Sequence, residues 1–433
     1  MTANNGRHYQ LRYGRGALPV QIPPAIEVTC IRKPVMPVLS DTSAAIERAL
    51  RQAVGSASLT DMASRAQSAA IAICDITRPV PNYLFLRPII ETLIAAGIPA
   101  QNISVIVATG LHRPNLGTEL DELLGDPWVI KHVRVFNHDA RNDADHVTLG
   151  ETSTRGTRVR LDRRFVEADL RIATGLVEPH FMAGYSGGRK VIAPGLAHAE
   201  TITTFHSARF MADPAAANCN FVNNPLHEEQ MQIIDMLGGA LALNTVIDED
   251  RKLSFVNFGE IVASHEQAVE HARSYCEVKV ARKFSTVVTC AAGYPLDKTY
   301  YQTIKGMVGG IEILATGGDL IIAAECAEGM GSPEFVDAQQ RLISLGRDEF
   351  LRSLHAKRCA SIDEWQTQML LKAIDRGQVY LYSSGLPRTP EPPIGVKRIE
   401  SLEQAIEESL QRHQSNSLAI IPEGPYVVPF ASV

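Results

Sequence analysis

The sequence predicts an α/β protein: two α/β domains with mostly parallel sheets and an active-site cleft between them. Three observations predict it. Short apolar runs end in polar loops and then give way to helical patterns, repeatedly along the chain. The alternation comes in two series, separated by a polar stretch at 260–283. The loops richest in chemistry fall just after the carboxyl ends of predicted strands, the edge at which open α/β sheets bind ligands.

In the first series, Ala69–Cys74 reads as a buried strand, followed by the loop Asp75-Ile76-Thr77-Arg78-Pro79 and a helix around Leu84–Ala96. Ile103–Ala108 is a second strand, leading into Thr109-Gly110-Leu111-His112-Arg113-Pro114 and a helix near Thr118–Leu124. Leu170–Thr174 is a third, running toward the segment Glu178–His206. The second series has strands at Ser285–Cys290, Asp319–Ala324 and Gln378–Tyr382 and a helix over Tyr300–Leu314. Residues 385–396 form a proline-rich loop. The first domain is expected over 1–270, completed by the C-terminal segment 414–433, and the second over 284–413. Glu260–Lys283 is expected to be a helical connector.

Composition narrows the function. The chain has 433 residues, 45% hydrophobic and 21% charged, which suits two or three packed domains. The net charge of −6 is spread without long runs, so neither nucleic acid nor a membrane surface is an expected partner. No stretch approaches the about 18 apolar residues of a membrane span, and the first residues lack a signal-peptide core. The seven cysteines are scattered without a CxxC pair, which argues against disulfides and a cysteine zinc cluster. A cytoplasmic enzyme of small molecules is the expectation.

Residues 178–206 are the most informative stretch: His180, the glycine turn Gly184/Gly187/Gly188, Lys190 and His206 lie close together. Gly187-Gly188-Arg189-Lys190-Val191 fails the Walker pattern, because Arg189 intervenes and Val191 stands where a magnesium-binding hydroxyl belongs. The glycines still let backbone N–H groups approach an anion. Lys190, if desolvated, suits an attachment point or nucleophile. His112 and His180 titrate near neutrality and suit acid/base roles. Arg78 suits a carboxylate clamp, with a structural pair to Asp75 equally open. Gln302 and Lys305 share a helix face near Tyr301, where a helix start favours anions. With no HExxH, HxH or carboxylate cluster, a bound metal must take few protein ligands.

Together, DITRP (75–79), TGLHRP (109–114), EPHFMAGYSGGRK (178–190), His206 and YQTIK (301–305) resemble the nickel-pincer-nucleotide-dependent lactate racemase family. The resemblance runs from LRYGRGALPVQIP to the C-terminal domain. It implies a pyridinium-3,5-bisthiocarboxylic acid mononucleotide carrying nickel, covalently attached through Lys190. His206 is then the nickel ligand, and Asp75, Thr77, Gly187 and Gly188 line the cofactor. His112 and His180 are the implied acid/base pair, and Arg78, Tyr301, Gln302 and Lys305 the implied substrate contacts.

The implied reaction inverts C2 of a 2-hydroxy acid by proton-coupled hydride transfer through a bound 2-keto acid. The substrate is lactate or a larger or more polar hydroxy acid, and Asp213–Gln230 is the segment expected to read a polar side chain. Enzymes that build the cofactor and insert nickel are implied partners. An NAD(P)-dependent 2-hydroxy acid dehydrogenase is the alternative, lacking its GxGxxG fingerprint after a strand. A non-catalytic protein that binds the nickel cofactor is another.

Overall fold

The computed structural model describes residues 7–432. Residues 1–6 and 433, which the expected domain limits include, lie outside the described residues, as do the first residues of the N-terminus read above. Two six-stranded sheets organise the chain. The first has the strand order 253–260, 241–247, 170–176, 69–74, 103–108, 134–137. All its pairs are parallel except the antiparallel edge between 241–247 and 253–260. The second runs 397–399, 377–382, 314–323, 284–290, 417–421, 27–30, parallel throughout. The fold class matches the expectation of two α/β domains with mostly parallel sheets.

Near-continuous apolar runs explain the buried strands. Ala69–Ile73 and Val105–Val107 are at most 1% exposed, because helices cover both faces of a parallel sheet. The helix Asn82–Ala95 turns Phe85, Leu86, Ile89, Ile90 and Leu93 into that core. In the first sheet the chain steps from 69–74 to 103–108 on one side and later returns to 170–176 on the other. Such a reversal opens a crevice at the carboxyl ends of the strands.

Domain membership departs from the sequence expectation at both ends of the chain. The strand Glu27–Cys30 belongs to the second sheet, pairing with Ser417–Ile421. The hairpin Arg7–Tyr13/Gly16–Ile22 packs Leu11, Val20 and Ile22 on the same core as Val288 and Ile321. Residues 417–421, expected to complete the first domain, stand between 284–290 and 27–30 in the second sheet. The cause is long-range parallel pairing, which leaves no local signature and whose loop-closure cost grows only slowly with separation.

Two helix boundaries also differ. The helix expected over Tyr300–Leu314 ends at Gly309, and the strand begins at Leu314. In the expected connector, the helix Ile261–Cys276 buries Ile261, Ala268, Val269 and Ala272. It covers the strands 241–247 and 253–260 of the first sheet. The crossing between domains is the strand Glu277–Val280, paired with Val428–Ala431.

A buried polar cluster fastens the wall of the crevice. Asp162 is fully buried; Oδ1 accepts from the Arg164 backbone and Nε, and Oδ2 from Arg164 Nη2 at 2.5 Å and His138 Nδ1 at 3.0 Å. His138 Nε2 reaches the Ala197 carbonyl at 3.1 Å, and its own carbonyl accepts from Thr109 Oγ1 at 2.7 Å. Burial would raise the Asp162 carboxyl, but the Arg164 and His138 bonds outweigh it and hold it at about 2. Asp162→Ala should cost about 3–5 kcal/mol in urea unfolding at pH 7, because it leaves buried donors unpaired. A depressed carboxylate stabilises above its unfolded value, so the gap from wild type should shrink as pH falls from about 4 toward 2.

Candidate active site

One cavity, with about 980 Å³ of free space counting its open mouth, gathers loops from both domains. From the first sheet come Asp75, Thr77 and Arg78 after strand 69–74, His112 after 103–108, and His180 after 170–176. The turn at Gly187 and the short helix Arg189–Ile192 bring in Lys190, and the helix Ala199–Phe205 ends in His206. From the second domain, the helix Tyr300–Gly309 supplies Tyr301, Gln302 and Lys305, and the start of the helix Glu364–Arg376 supplies Asp363, Trp365 and Gln366.

The two candidate acid/base histidines have opposite surroundings. His112 Nδ1 bonds Asp75 Oδ2 at 2.6 Å, and Asp75 Oδ1 accepts from Thr77 Oγ1 at 2.6 Å. A carboxylate partner makes Nδ1 the donor, which leaves Nε2 as a proton acceptor. Burial disfavours the His112 cation, yet Asp75 outweighs it, so the imidazole holds its proton above its ordinary value. Asp75 itself is pushed up by burial and pulled further down by His112, Thr77 and Arg78, ending below the carboxylate norm.

His180 is 6% exposed, and its Nδ1 accepts from the backbone N–H groups of Met182 and Ala183 at 3.3 and 3.2 Å. That geometry selects the neutral ring with hydrogen on Nε2. Burial, then Lys190, Arg78, Lys305 and His206, drive its proton affinity well below the imidazole norm. One ring thus offers a lone pair at Nε2, and the other, while neutral, a hydrogen-bond donor at Nε2.

Cationic groups dominate the cavity. Arg78 pairs with Glu178, not with Asp75, whose second oxygen is taken by His112. Lys190 is brought down to about 7 by burial and by the neighbouring Arg78, with Arg189 adding to it. A lysine near 7 is substantially neutral at physiological pH and therefore nucleophilic. Lys305 is lowered well below its usual value by burial, Arg78 and Lys190. The arrangement favours an anionic ligand.

His206 is turned the other way. Its Nδ1 bonds the Ile202 carbonyl at 2.9 Å, so hydrogen sits there and Nε2 keeps a lone pair. Burial brings the ring down to about 3, favouring the neutral, metal-ligating form. No group of three or more His, Cys, Asp or Glu among the described residues is arranged to hold a metal. A metal at His206 would need its other ligands from a bound group.

The expected residues converge with one exception. Gly187 lines the cavity with φ +77°, and an added Cβ would stand 2.7 Å from Val177 Cγ2. Gly188 does not line it: an added Cβ would meet His265 Cγ at 2.6 Å, because Gly188 packs against the helix behind the turn. Arg189 also faces away, over the Phe221 ring and bonded to His265 at 3.1 Å. The segment Asp213–Gln230 contributes nothing to this cavity, and only its Asn218 lines a small side pocket. Sequence reasoning did not single out Cys74, Asp363, Trp365 or Gln366. Cys74 ends the first strand beside Asp75 and was legible as a neighbour, whereas Asp363 to Gln366 carry no local pattern.

The sequence matches the family model of the lactate racemase N-terminal domain over residues 13–218 and that of the lactate racemase C-terminal domain over 280–428. A lactate racemase of Thermoanaerobacterium thermosaccharolyticum is 32% identical over 401 residues, covering 88% of this chain and 89% of the relative. A lactate racemase of Lactiplantibacillus plantarum is 28% identical over 387 residues, covering 88% and 90%. The solved lactate racemase apoprotein from T. thermosaccharolyticum aligns with TM-score 0.87 and 27% identity over 98% of this chain and all of that one. A Thermotoga maritima protein at 17% identity and TM-score 0.64 shares the fold. Because these matches span both of the domains that meet at the cavity, the chain belongs to the lactate racemase family.

Proposed function

We propose that the protein is a racemase or epimerase that inverts C2 of a 2-hydroxy acid, with a nickel-pincer nucleotide held in the cavity. The observation that carries this reading is the pair His112 and His180, one offering an Nε2 lone pair and the other an Nε2–H, in a cavity shared with Arg78, Lys190 and Lys305. The residues fit the cofactor. Lys190, near 7, suits covalent attachment, and His206 offers a free Nε2 to nickel. The backbone at Gly187 suits the approach of a phosphate. When bound, the group supplies a hydride acceptor and donor, which spares C2 a carbanion beside a carboxylate.

The chain's own groups do the rest. Arg78 and Lys305 hold the substrate carboxylate, and Gln302 and Tyr301 fix the plane of the hydroxyl. His112, steadied by Asp75, takes the hydroxyl proton of one enantiomer. The resulting 2-keto acid stays between the domains and presents its other face to His180, which, protonated while the anion is bound, returns a proton to the oxygen. An anionic substrate would offset the cations that lower His180 and bring its proton affinity back toward neutrality. Enclosure by the second domain keeps water from the keto acid. A substrate longer than lactate is favoured by the cavity's opening, past Leu111, Tyr301 and Asp363, into an outer cleft walled by Ile76, Pro114, Pro295, Pro333 and Ile362.

Incubation of single enantiomers of lactate and longer 2-hydroxy acids with cofactor-loaded enzyme, read by chiral chromatography, should give racemic product. One-way oxidation that needs a nicotinamide would contradict the reading. His112→Ala and His180→Ala should each slow turnover by about 100- to 10,000-fold with little change in circular dichroism. In the direction where His112 is the base it must be neutral, so the acid limb of kcat/KM follows its pKa. Asp75→Asn removes the charge that raises that value, and the limb should move down by about one pH unit.

A further inference from the structure

We infer that Asp363 is a positioning residue for His112, presenting a second carboxylate to the imidazole from the opposite domain. Asp363 lines both the inner cavity and the outer cleft, and His112 lines the same two spaces. The residue is 9% exposed and stands at the N-cap of the helix Glu364–Arg376. Aspartate is favoured there because it can bond the first backbone N–H groups. This one makes no capping bond. Its backbone is left-handed, with φ +63°, and Oδ2 instead accepts from Ser332 Oγ at 2.5 Å. Ser332 is itself held as the N-cap of the helix Pro333–Leu345. Two helix starts therefore fix a carboxylate at the cleft in place of an ordinary cap.

The other groups around His112 are accounted for. Asp75 holds Nδ1 from the first domain. Arg78 is paired with Glu178, and Arg113 with Glu119 at 2.6 Å. Lys298 and Glu328 satisfy each other at 2.8 Å in the outer cleft. The Tyr301 hydroxyl accepts from Trp365 Nε1 at 3.2 Å, beside Asp363. Lys305 is left opposing the His112 cation, together with burial; Asp75 and then Asp363 favour it. Burial raises Asp363 itself, and Ser332 and His112 draw it back. Since Asp75 and Asp363 lie on different domains, the strength of the base depends on both domains being together. This rests on the reading of His112 as an acid/base group.

The test is a proton NMR titration of the His112 ring in the full-length protein without turnover, with its signal assigned by loss in His112→Gln. Asp363→Asn should lower the midpoint by about half a pH unit or more, and Asp363→Glu should restore part of it. Should Asp363→Asn fail to fold, Ser332→Ala releases the carboxylate without changing charge and should move the midpoint the same way. In loaded enzyme the acid limb of kcat/KM should follow, with KM nearly unchanged. An unshifted midpoint in a folded variant overturns the inference and leaves the racemase reading standing. A shifted midpoint in a protein that racemises nothing supports the inference and removes that reading.

Discussion

Burial of positive charge without full compensation is the constraint on which the site depends. Lys190 and Lys305 share a cavity with Arg78, and neither lysine makes a side-chain ion pair among the described residues. An isolated buried cation costs several kcal/mol, so the folded protein lowers the charge or waits for an anion. Both responses are visible. Lys190 is brought to about 7, and the cavity keeps the volume and polarity for an anionic guest. The same field presses on His180, which makes the two histidines unequal although one ligand would lie between them.

Architecture makes this burial tolerable. The cations sit on loops and helices that line the cavity, with a dense apolar core behind them. The Asp162–His138–Arg164 cluster ties the wall at Ala197 to the loop bearing His112, so the cavity is braced by groups that never face it. Gly187 is needed for a related reason: its left-handed backbone and the nearness of Val177 leave no room for a side chain. The second domain supplies Tyr301, Lys305 and Asp363, and neither domain alone forms the chamber.

The sequence exposed those parts of the design that are local. Strand ends at Cys74 and Ala108 followed from apolar runs, the third strand runs two residues past the expected Thr174 to Leu176, and the polar loops after them could be read as one address. His112, His180, Lys190 and His206 stood out because unusual residue types recur in short segments, and the structure brings them to one cavity. What depends on distant pairing was hidden. Glu27–Cys30 sits in the second sheet because Ser417–Ile421 offers it an edge, which nothing near residue 27 announces. Gly188 resembles Gly187 in sequence, yet its neighbour is His265 on a helix 77 positions further along. Asp363 carries no local signal, because what fixes it is Ser332, 31 positions earlier.

The central claim, that this charged cavity takes a covalently held anionic nickel cofactor at Lys190, is tested most directly by intact mass with peptide mapping and nickel analysis. The protein would be produced together with the enzymes that build the cofactor. The account predicts an adduct on the peptide containing Lys190, near-stoichiometric nickel, and loss of nickel in His206→Ala. An unmodified Lys190 without nickel, alongside a family member that loads normally, would contradict it.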